Sequence, residues 1–315
     1  MIGALLAGVA TLLAPTGTDA RTDRWTALPS ALLARSEVAA TRVGRFIYVV
    51  GGFEATRTSP AVERYDIRRE RWKRVRDMPL AVNHPTAVAY HGDVYVHGGY
   101  TANLGLDGTT GALQRYDPSR NRWSRLPSSP TARAAQADAV IGHRLYAAGG
   151  ANETGSLRSL EIYDFETRRW HRGPSFPPPA RNHTTGVASG GRFYVLAGRD
   201  TENFTAAARY DPSRNKWERL PSLHTARGGI ASARLSDGRI VVFGGEQLVP
   251  GGTTIAEVEL FDPRSRRWSS LPDMRTPRHG LGGAALGRRV FALVGGPTPG
   301  FAFTRTIEYL DVPAR

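Results

Sequence analysis

Residues 94–123 read VYVHGGYTANLGLDGTTGALQRYDPSRNRW, and this stretch decides the fold. An apolar run ends in two glycines, a Tyr-Asp pair follows, and a tryptophan stands seven residues after the tyrosine. The same three features return along most of the chain. Because self-similarity at a fixed period of 20–50 residues is the signature of stacked supersecondary units, we expect a chain built of such units.

Six tryptophans mark the period, at spacings of 47, 51, 47, 47 and 51 residues: Trp25, Trp72, Trp123, Trp170, Trp217 and Trp268. Glycine pairs keep the same beat at Gly51–Gly52, Gly98–Gly99, Gly149–Gly150, Gly244–Gly245 and Gly295–Gly296, with Ala197–Gly198 in the fourth unit. The aromatic-aspartate pairs are Tyr65–Asp66, Tyr116–Asp117, Tyr163–Asp164, Tyr210–Asp211 and Phe261–Asp262. Six registered copies indicate one repeat architecture over almost the whole chain.

Each unit predicts four short strands. In the second unit these are residues 85–90, 94–97, 112–117 and 123–126, separated by turn-forming residues. No stretch of the repeat has a helical period. The sequence therefore predicts an all-β protein.

Double glycine, spaced aromatic and tryptophan resemble a Kelch repeat, in which each repeat forms one blade of a β-propeller. The resemblance covers residues 25–311 and implies a six-bladed β-propeller of Kelch repeats. The sixth unit lacks a tryptophan after it, whereas Trp25 lacks a unit before it. We therefore expect the N-terminal strand to close the last blade, which removes two exposed sheet edges, and we place the propeller at residues 21–315.

Residues 1–20 differ from the repeat. Ile2–Ala14 is an apolar run of 13 residues, too short to span a bilayer comfortably, and Ala20 precedes Arg21 as a cleavage site. No Lys or Arg precedes the run, which leaves an uncleaved anchor or a misplaced start as alternatives. We expect a signal peptide, a secreted or periplasmic protein and no stable membrane span. The absence of Cys excludes disulfides, thiolate chemistry and a lipoprotein anchor.

Candidate binding residues cluster on one predicted face. The first strand of each blade starts there, and the loops between second and third strands lie there too; we call it the top face. At the start of five first strands stands an arginine: Arg35, Arg133, Arg181, Arg227 and Arg278. A ring of guanidiniums would attract anions at the channel mouth. The alternative is that each arginine pairs with a neighbouring blade.

Other top-face candidates are Asn83, His84, His183, Glu54 and Glu246. The loops 101–111 and 247–254 are longer than their counterparts, which hints at a binding face. Three histidines around a channel, His84, His183 and His279, raise the question of a metal. No short ligand spacing supports one, so we predict neither metal nor cofactor.

The whole chain has a net charge of +14, and its repeated basic residues concentrate on the opposite face, the underside. Its turns between third and fourth strands hold twelve basic residues: Arg68, Arg69, Arg71, Arg120, Arg122, Arg168, Arg169, Arg214, Lys216, Arg264, Arg266 and Arg267. A solvated face is the favoured interpretation, with acidic polymers or lipid headgroups as the alternative. Exposed interleaved aromatics are missing, so we expect no nucleic acid as a partner.

No nucleophile motif, phosphate loop or HExxH is present. The Kelch resemblance implies a binding module, which we expect to be a monomer, and the top face predicts an anionic small molecule, glycan or acidic peptide as ligand. The alternative is an enzyme similar to the exported sialic acid mutarotases, with Glu54, Glu153 or Glu246 as the acid-base group. A galactose-oxidase-like enzyme is excluded because its crosslinked cofactor needs Cys.

Overall fold

The computed structural model describes residues 24–247 and 249–315, and this part of the chain is built of strands without helices. Six antiparallel sheets of four strands each make up the fold, and two further two-stranded hairpins decorate its loops. The predicted all-β class and the six blades are confirmed. The predicted signal peptide lies outside the described residues and stays a prediction.

From the channel outward, the strands are Ala39–Val43, Phe46–Val50, Val62–Asp66 and Arg71–Arg74 in blade 1; Thr86–Tyr90, Asp93–His97, Leu113–Asp117 and Arg122–Leu126 in blade 2; and Ala137–Ile141, Arg144–Ala148, Leu160–Asp164 and Arg169–Gly173 in blade 3. They are Thr185–Ser189, Arg192–Leu196, Ala207–Asp211 and Lys216–Leu220 in blade 4, and Ala231–Arg234, Ile240–Phe243, Val258–Asp262 and Arg267–Leu271 in blade 5. Blade 6 comprises Gly282–Leu286, Arg289–Gly295, Thr304–Asp311 and Thr26–Leu28. The two small hairpins pair Phe53–Glu54 with Arg57–Thr58 and Ala151–Asn152 with Gly155–Ser156.

Burial explains the composition of each strand. Second strands such as Phe46–Val50 are continuously apolar because neighbouring blades cover both of their faces. Fourth strands such as Arg122–Leu126 alternate instead, with Trp123 turned inward and the charged residues beside it turned to solvent. The core therefore lies between blades, around the second and third strands.

The ring closes as the sequence predicts. The first strands contact one another in order around the channel, and that of blade 6 contacts that of blade 1. Thr26–Leu28 pairs antiparallel with the third strand of blade 6, with Thr26 opposite Tyr309. Trp25 is 3% exposed, and its indole Nε1 donates to the carbonyl of Pro272 in blade 5 at 3.0 Å.

The other five tryptophans make the same bond. Each indole Nε1 donates to the carbonyl four residues after the preceding tryptophan, at 2.7–2.9 Å. The acceptors in order are Pro29, Arg76, Pro127, Pro174 and Pro221. The repeated tryptophan thus links the outer strand of each blade to the preceding blade by a hydrogen bond.

The glycine pairs allow neighbouring blades to approach closely near the channel. A Cβ on Gly51 would lie 2.5 Å from the carbonyl oxygen of Val82 in the next blade, and both glycines of the pair have positive φ. In blade 6 the two positive-φ residues at this point are Val294 (φ 50) and Gly295 (φ 105). The predicted pair Gly295–Gly296 is therefore one residue out of register. The N–H of Gly295 donates to Arg35 in blade 1 at 2.8 Å, which completes the ring.

Within the described residues, no helix has the length and hydrophobicity that crossing a membrane requires.

Candidate functional site

The five repeated arginines lie inside the blades, at 0–1% exposure. Four of them form ion pairs with a glutamate of the third strand of the same blade: Arg35–Glu63 at 2.7 Å, Arg133–Glu161 at 3.1 Å, Arg227–Glu259 at 2.9 Å and Arg278–Glu308 at 3.0 Å. They also donate to backbone carbonyls, as Arg35 does to Gly51 and Ala61. The predicted anion-binding ring is therefore wrong in its geometry, because these guanidiniums are occupied and shielded. The alternative, that each arginine pairs with a neighbouring blade, is also wrong for these four arginines, because each glutamate belongs to the same blade as its arginine.

Blades 2 and 4 depart from this pattern. Val82 replaces the arginine in blade 2, and Gln114 replaces the glutamate at the same time. In blade 4 the glutamate position is Ala208, so no carboxylate in the described part of the chain pairs with Arg181. Arg181 instead lies 4.7 Å from the ring centre of Phe176, and burial lowers its pKa to about 10.

The residues two positions after the five arginines and after Val82 line the channel and form what we call the neck. These six residues all have positive φ: Glu37, His84, Ala135, His183, Gly229 and Gly280. Backbone bonds link several of them between blades, such as His84 N–H to Glu37 O at 2.9 Å and Gly229 N–H to His183 O at 3.0 Å. The neck borders a channel cavity of about 130 Å³, which the first strands line. Side chains at the neck therefore converge on the propeller axis.

Three side chains of the neck and two neighbouring side chains form what we call the axial cluster: Glu37, His84 and His183 from the neck, with His279 and Glu246 beside them. The carboxylate of Glu37 lies 3.0 Å from His84 Nε2 and 2.9 Å from His279 Nδ1. The rings of His84 and His183 meet edge to face, with centroids 4.8 Å apart. All five residues are at most 8% exposed. The cluster joins blades 1, 2, 4, 5 and 6.

Asparagines orient two of the imidazoles. His84 Nδ1 lies 2.7 Å from Asn83 Oδ1, and His183 Nδ1 is bonded to Asn182 Oδ1. The asparagine Nδ2 atoms donate elsewhere, to Thr58 and to Ser156, so each amide presents its oxygen to the ring. An amide oxygen accepts only, and therefore the proton of each neutral ring resides on Nδ1.

Burial and charge set the protonation of the cluster. Burial holds the pKa of His183 well below its usual range, with Arg199 adding to this effect. Burial also disfavours charge on His279, but the hydrogen bond to Glu37, the negative charges of Glu37 and Glu246 and the Thr298 carbonyl together raise the His279 pKa. Its Nε2 lies 3.0 Å from the Thr298 carbonyl, so both ring nitrogens face acceptors. The environment therefore favours the imidazolium form of His279 and the neutral form of His183.

Glu246 lies at the edge of the cluster. Arg199 pairs with it at 2.5 Å, the N–H of Gly300 donates to it at 3.1 Å, and His279 Nδ1 is 3.7 Å away. Glu54, by contrast, stands on a small hairpin, where it bonds Arg57 and Ser59. Glu246 therefore belongs to the axial cluster and Glu54 does not.

The structure brings together Asn83, His84, His183 and Glu246 from the predicted set. Sequence reasoning missed Glu37, Asn182 and the role of Arg199. The signal was available: Glu37 follows Arg35 at the offset by which His183 follows Arg181.

The top face also exposes large apolar side chains. Leu106 is 52% exposed, Val249 60% and Phe301 63%, each on a loop between the second and third strands of its blade. Leu106 and Val249 belong to the two lengthened loops. Leu32, 48% exposed, lies in the connection that enters blade 1. On the underside, Leu286 is the exposed large apolar residue of the described chain, at 38%.

The underside has the basic surface that the sequence predicts. All twelve arginines and lysines of its outer turns are exposed. In the described part of the chain, Arg120 and Arg266 are the members of this set that form ion pairs. The surface is therefore mostly free positive charge in solvent.

Comparisons with known proteins agree with this architecture. The KLHDC2/KLHL20/DRC7 Kelch-repeats domain matches residues 37–229, and the Kelch motif matches residues 231–275. The chain is similar to Kelch-like protein terF of Aspergillus terreus, at 32% identity over 43% of this chain and 32% of that protein. It is also similar to human Kelch-like protein 23, at 30% identity over 42% of this chain and 24% of that protein.

These matches span about a third or less of the length of the curated relatives. Among solved structures, that of YjhT superposes with a TM-score of 0.76 at 16% identity, covering 89% of this chain and 95% of that one. The six blades repeat the same glycine and tryptophan contacts, and the family match covers residues 37–229. The chain therefore belongs to the Kelch-repeat family.

Proposed function

We propose that the protein is a binding module that receives its partner on the top face. The observation that carries this proposal is the placement of Leu106, Val249 and Phe301, all more than half exposed on loops of that one face. Exposed apolar side chains that gather on one surface mark interaction sites in soluble proteins. The two lengthened loops supply two of the three.

An acidic protein segment with apolar anchors fits this face better than an anionic small molecule or glycan. The repeated arginines are buried in ion pairs and offer no charged ring to a small anion. The net charge of +14 still favours the approach of acidic partners over distance. Large apolar side chains at the contact then supply affinity, as interface anchors do.

Phe301→Ala should weaken peptide binding at least tenfold, because truncating an interface anchor costs about 2 kcal/mol or more. The melting temperature should stay the same, since Phe301 is 63% exposed. The measurement is fluorescence anisotropy against a panel of labelled peptides that vary acidic and apolar content independently.

Leu286→Ala is the matched control, because it removes an exposed apolar side chain from the underside. Its affinity for every peptide should equal that of the wild type. Equal losses in the two variants, or a panel in which no acidic, apolar peptide binds, would count against the top face.

A second candidate, acid-base catalysis of the sialic acid mutarotase type, is favoured by one observation. Glu246 is buried and pairs with the guanidinium of Arg199, and a carboxylate held in this way at a closed site is a candidate acid-base group. An NMR assay of sialic acid anomer exchange separates the two functions. Acceleration by the wild type that Glu246→Gln abolishes would select the enzyme.

We also propose export, with residues 1–20 as the leader; the support is the apolar run Ile2–Ala14 with Ala20 behind it. Protein recovered outside the cytoplasm should begin at Arg21 when its N-terminus is sequenced. An intact Met1 on that material would contradict the proposal.

A further inference from the structure

We propose that the axial cluster binds one divalent transition-metal ion through His84 Nε2, His183 Nε2 and the carboxylate of Glu37. One ligand atom from each of these residues lies within 4.8 Å of the other two. The three come from blades 1, 2 and 4, which explains why the sequence shows no short ligand spacing. None of the three ligands belongs to the apolar top-face loops.

The first observation is a buried nitrogen without a partner. Nε2 of His183 is inaccessible to solvent and accepts or donates no hydrogen bond within the described structure. Because Asn182 takes the Nδ1 proton, this Nε2 carries a lone pair aimed into the cluster. Leaving a buried acceptor unsatisfied costs about 1–3 kcal/mol, so such a group calls for an explanation.

The second observation is the contact between His84 and Glu37. Asn83 fixes the His84 proton on Nδ1, so the Nε2 lone pair faces a carboxylate oxygen at 3.0 Å. Two acceptors at this distance repel each other unless a proton or a metal cation lies between them, and a metal ion here would also satisfy the unpartnered Nε2 of His183. Donors on a tetrahedral Zn²⁺ with bonds of about 2.1 Å are roughly 3.4 Å apart, so a small outward shift admits the ion.

The surrounding residues complete the outer layer of such a site. The other oxygen of Glu37 accepts from His279, and both ligand imidazoles are oriented by asparagine oxygens. Ligand histidines in metal sites characteristically donate their second N–H in this way. Phe53 and Tyr100 pack edge-on against the His84 ring, with centroids 5.7 and 5.5 Å away, and hold that ring in place.

The donor set selects the kind of ion. Two imidazoles and one carboxylate suit Zn²⁺ or Fe²⁺, whereas Mg²⁺ and Ca²⁺ prefer oxygen ligands. Three protein ligands leave a coordination position free, as in sites that take water or an oxygen ligand. The channel cavity borders all three residues, so the free position opens onto it.

The experiment is zinc titration of the folded protein, without a histidine tag and stripped by a chelator. Calorimetry should show one Zn²⁺ per chain, and Co²⁺ should give visible absorption bands of a low-symmetry site. Mg²⁺ and Ca²⁺ should show no binding under the same conditions. Wild-type protein that takes up no stoichiometric Zn²⁺ would overturn the proposal.

Two variants test whether the ion binds at the axial cluster. His183→Asn should abolish stoichiometric uptake, and Asn tolerates the positive φ of 47° at this position. Asn182→Ala should lower zinc affinity by about 10–100-fold, because it frees the ring to rotate and to change tautomer. This second variant decides the question should the first fail to fold.

The matched control is His171→Ala, which removes an exposed histidine from the fourth strand of blade 3. Its zinc affinity should equal that of the wild type. Zinc binding that persists unchanged in both His183→Asn and Asn182→Ala would refute the assignment, as would a loss in His171→Ala alone.

Discussion

Glu63→Gln is expected to lower the free energy of unfolding by about 3–5 kcal/mol, the usual effect of removing one partner of a buried ion pair. Arg35 and Glu63 are both fully buried, 2.7 Å apart. The backbone N–H groups of Leu32 and Leu33 also donate to this carboxylate. Glutamine removes the negative charge and leaves the guanidinium of Arg35 inside blade 1 without compensation.

Glu218→Gln is the control for this substitution. Glu218 also pairs with arginine, at 2.8 Å to Arg209 and 2.7 Å to Arg266, but it is 43% exposed. Surface ion pairs contribute about 0–1 kcal/mol, so this variant should unfold almost as the wild type does. Denaturant titration followed by tryptophan fluorescence measures both. Similar losses in the two variants would refute a structural role for the buried pairs.

Trp25→Ala should cost about 3–5 kcal/mol of stability, the range for truncating a large aromatic residue in a core. Trp25 packs against Phe243 with ring centroids 5.8 Å apart and holds the carbonyl of Pro272. Its strand is the fourth strand of blade 6, so the loss falls on the seam that closes the ring. Thermal melting of the variant should therefore occur well below that of the wild type.

Arg24→Ala provides the comparison for Trp25→Ala, because Arg24 is the exposed neighbour of Trp25. It should leave the melting temperature unchanged. An unchanged melting temperature in Trp25→Ala itself would contradict closure by the N-terminal strand.

The spacing of residues was enough to predict the number of repeats, and the resemblance to Kelch repeats implied that each one forms a propeller blade. Tryptophans at spacings of 47 and 51 residues set the number of blades, and the orphan Trp25 predicted which strand closes the ring. Both inferences need only the order of residues along the chain. The register error in blade 6 arose because Val294 adopts a positive φ at a position where four blades have glycine and blade 4 has Ala197.

The fate of the arginines could not be predicted from their positions alone. Their repeat placed them correctly at the starts of the first strands, but whether a guanidinium points into the blade or the channel depends on packing. A partial signal was present, since Val82 and Gln114 replace the arginine and the glutamate together in blade 2. Blade 4, however, has Arg181 without a glutamate, so arginine and glutamate do not always occur together.

The axial cluster could not be predicted from the sequence, because its residues become neighbours only when the ring of blades closes. Glu37 and His279 are 242 positions apart in the chain but share a hydrogen bond, because blades 6 and 1 meet at the seam. Only after six repeats are closed around one axis do single residues from different blades become neighbours. The role of Asn83 and Asn182, which fix the tautomers of His84 and His183, is likewise visible only in that geometry.

The most direct test of the account is a paired melt and peptide titration of Arg133→Ala and Phe301→Ala, using the acidic, apolar peptide that binds the wild type best. Arg133 is buried and paired, whereas Phe301 is exposed on the top face. The account predicts that Arg133→Ala melts at a lower temperature with unchanged affinity per folded molecule, and that Phe301→Ala loses affinity at an unchanged melting temperature. Affinity lost in Arg133→Ala with stability intact, and retained in Phe301→Ala, would contradict it.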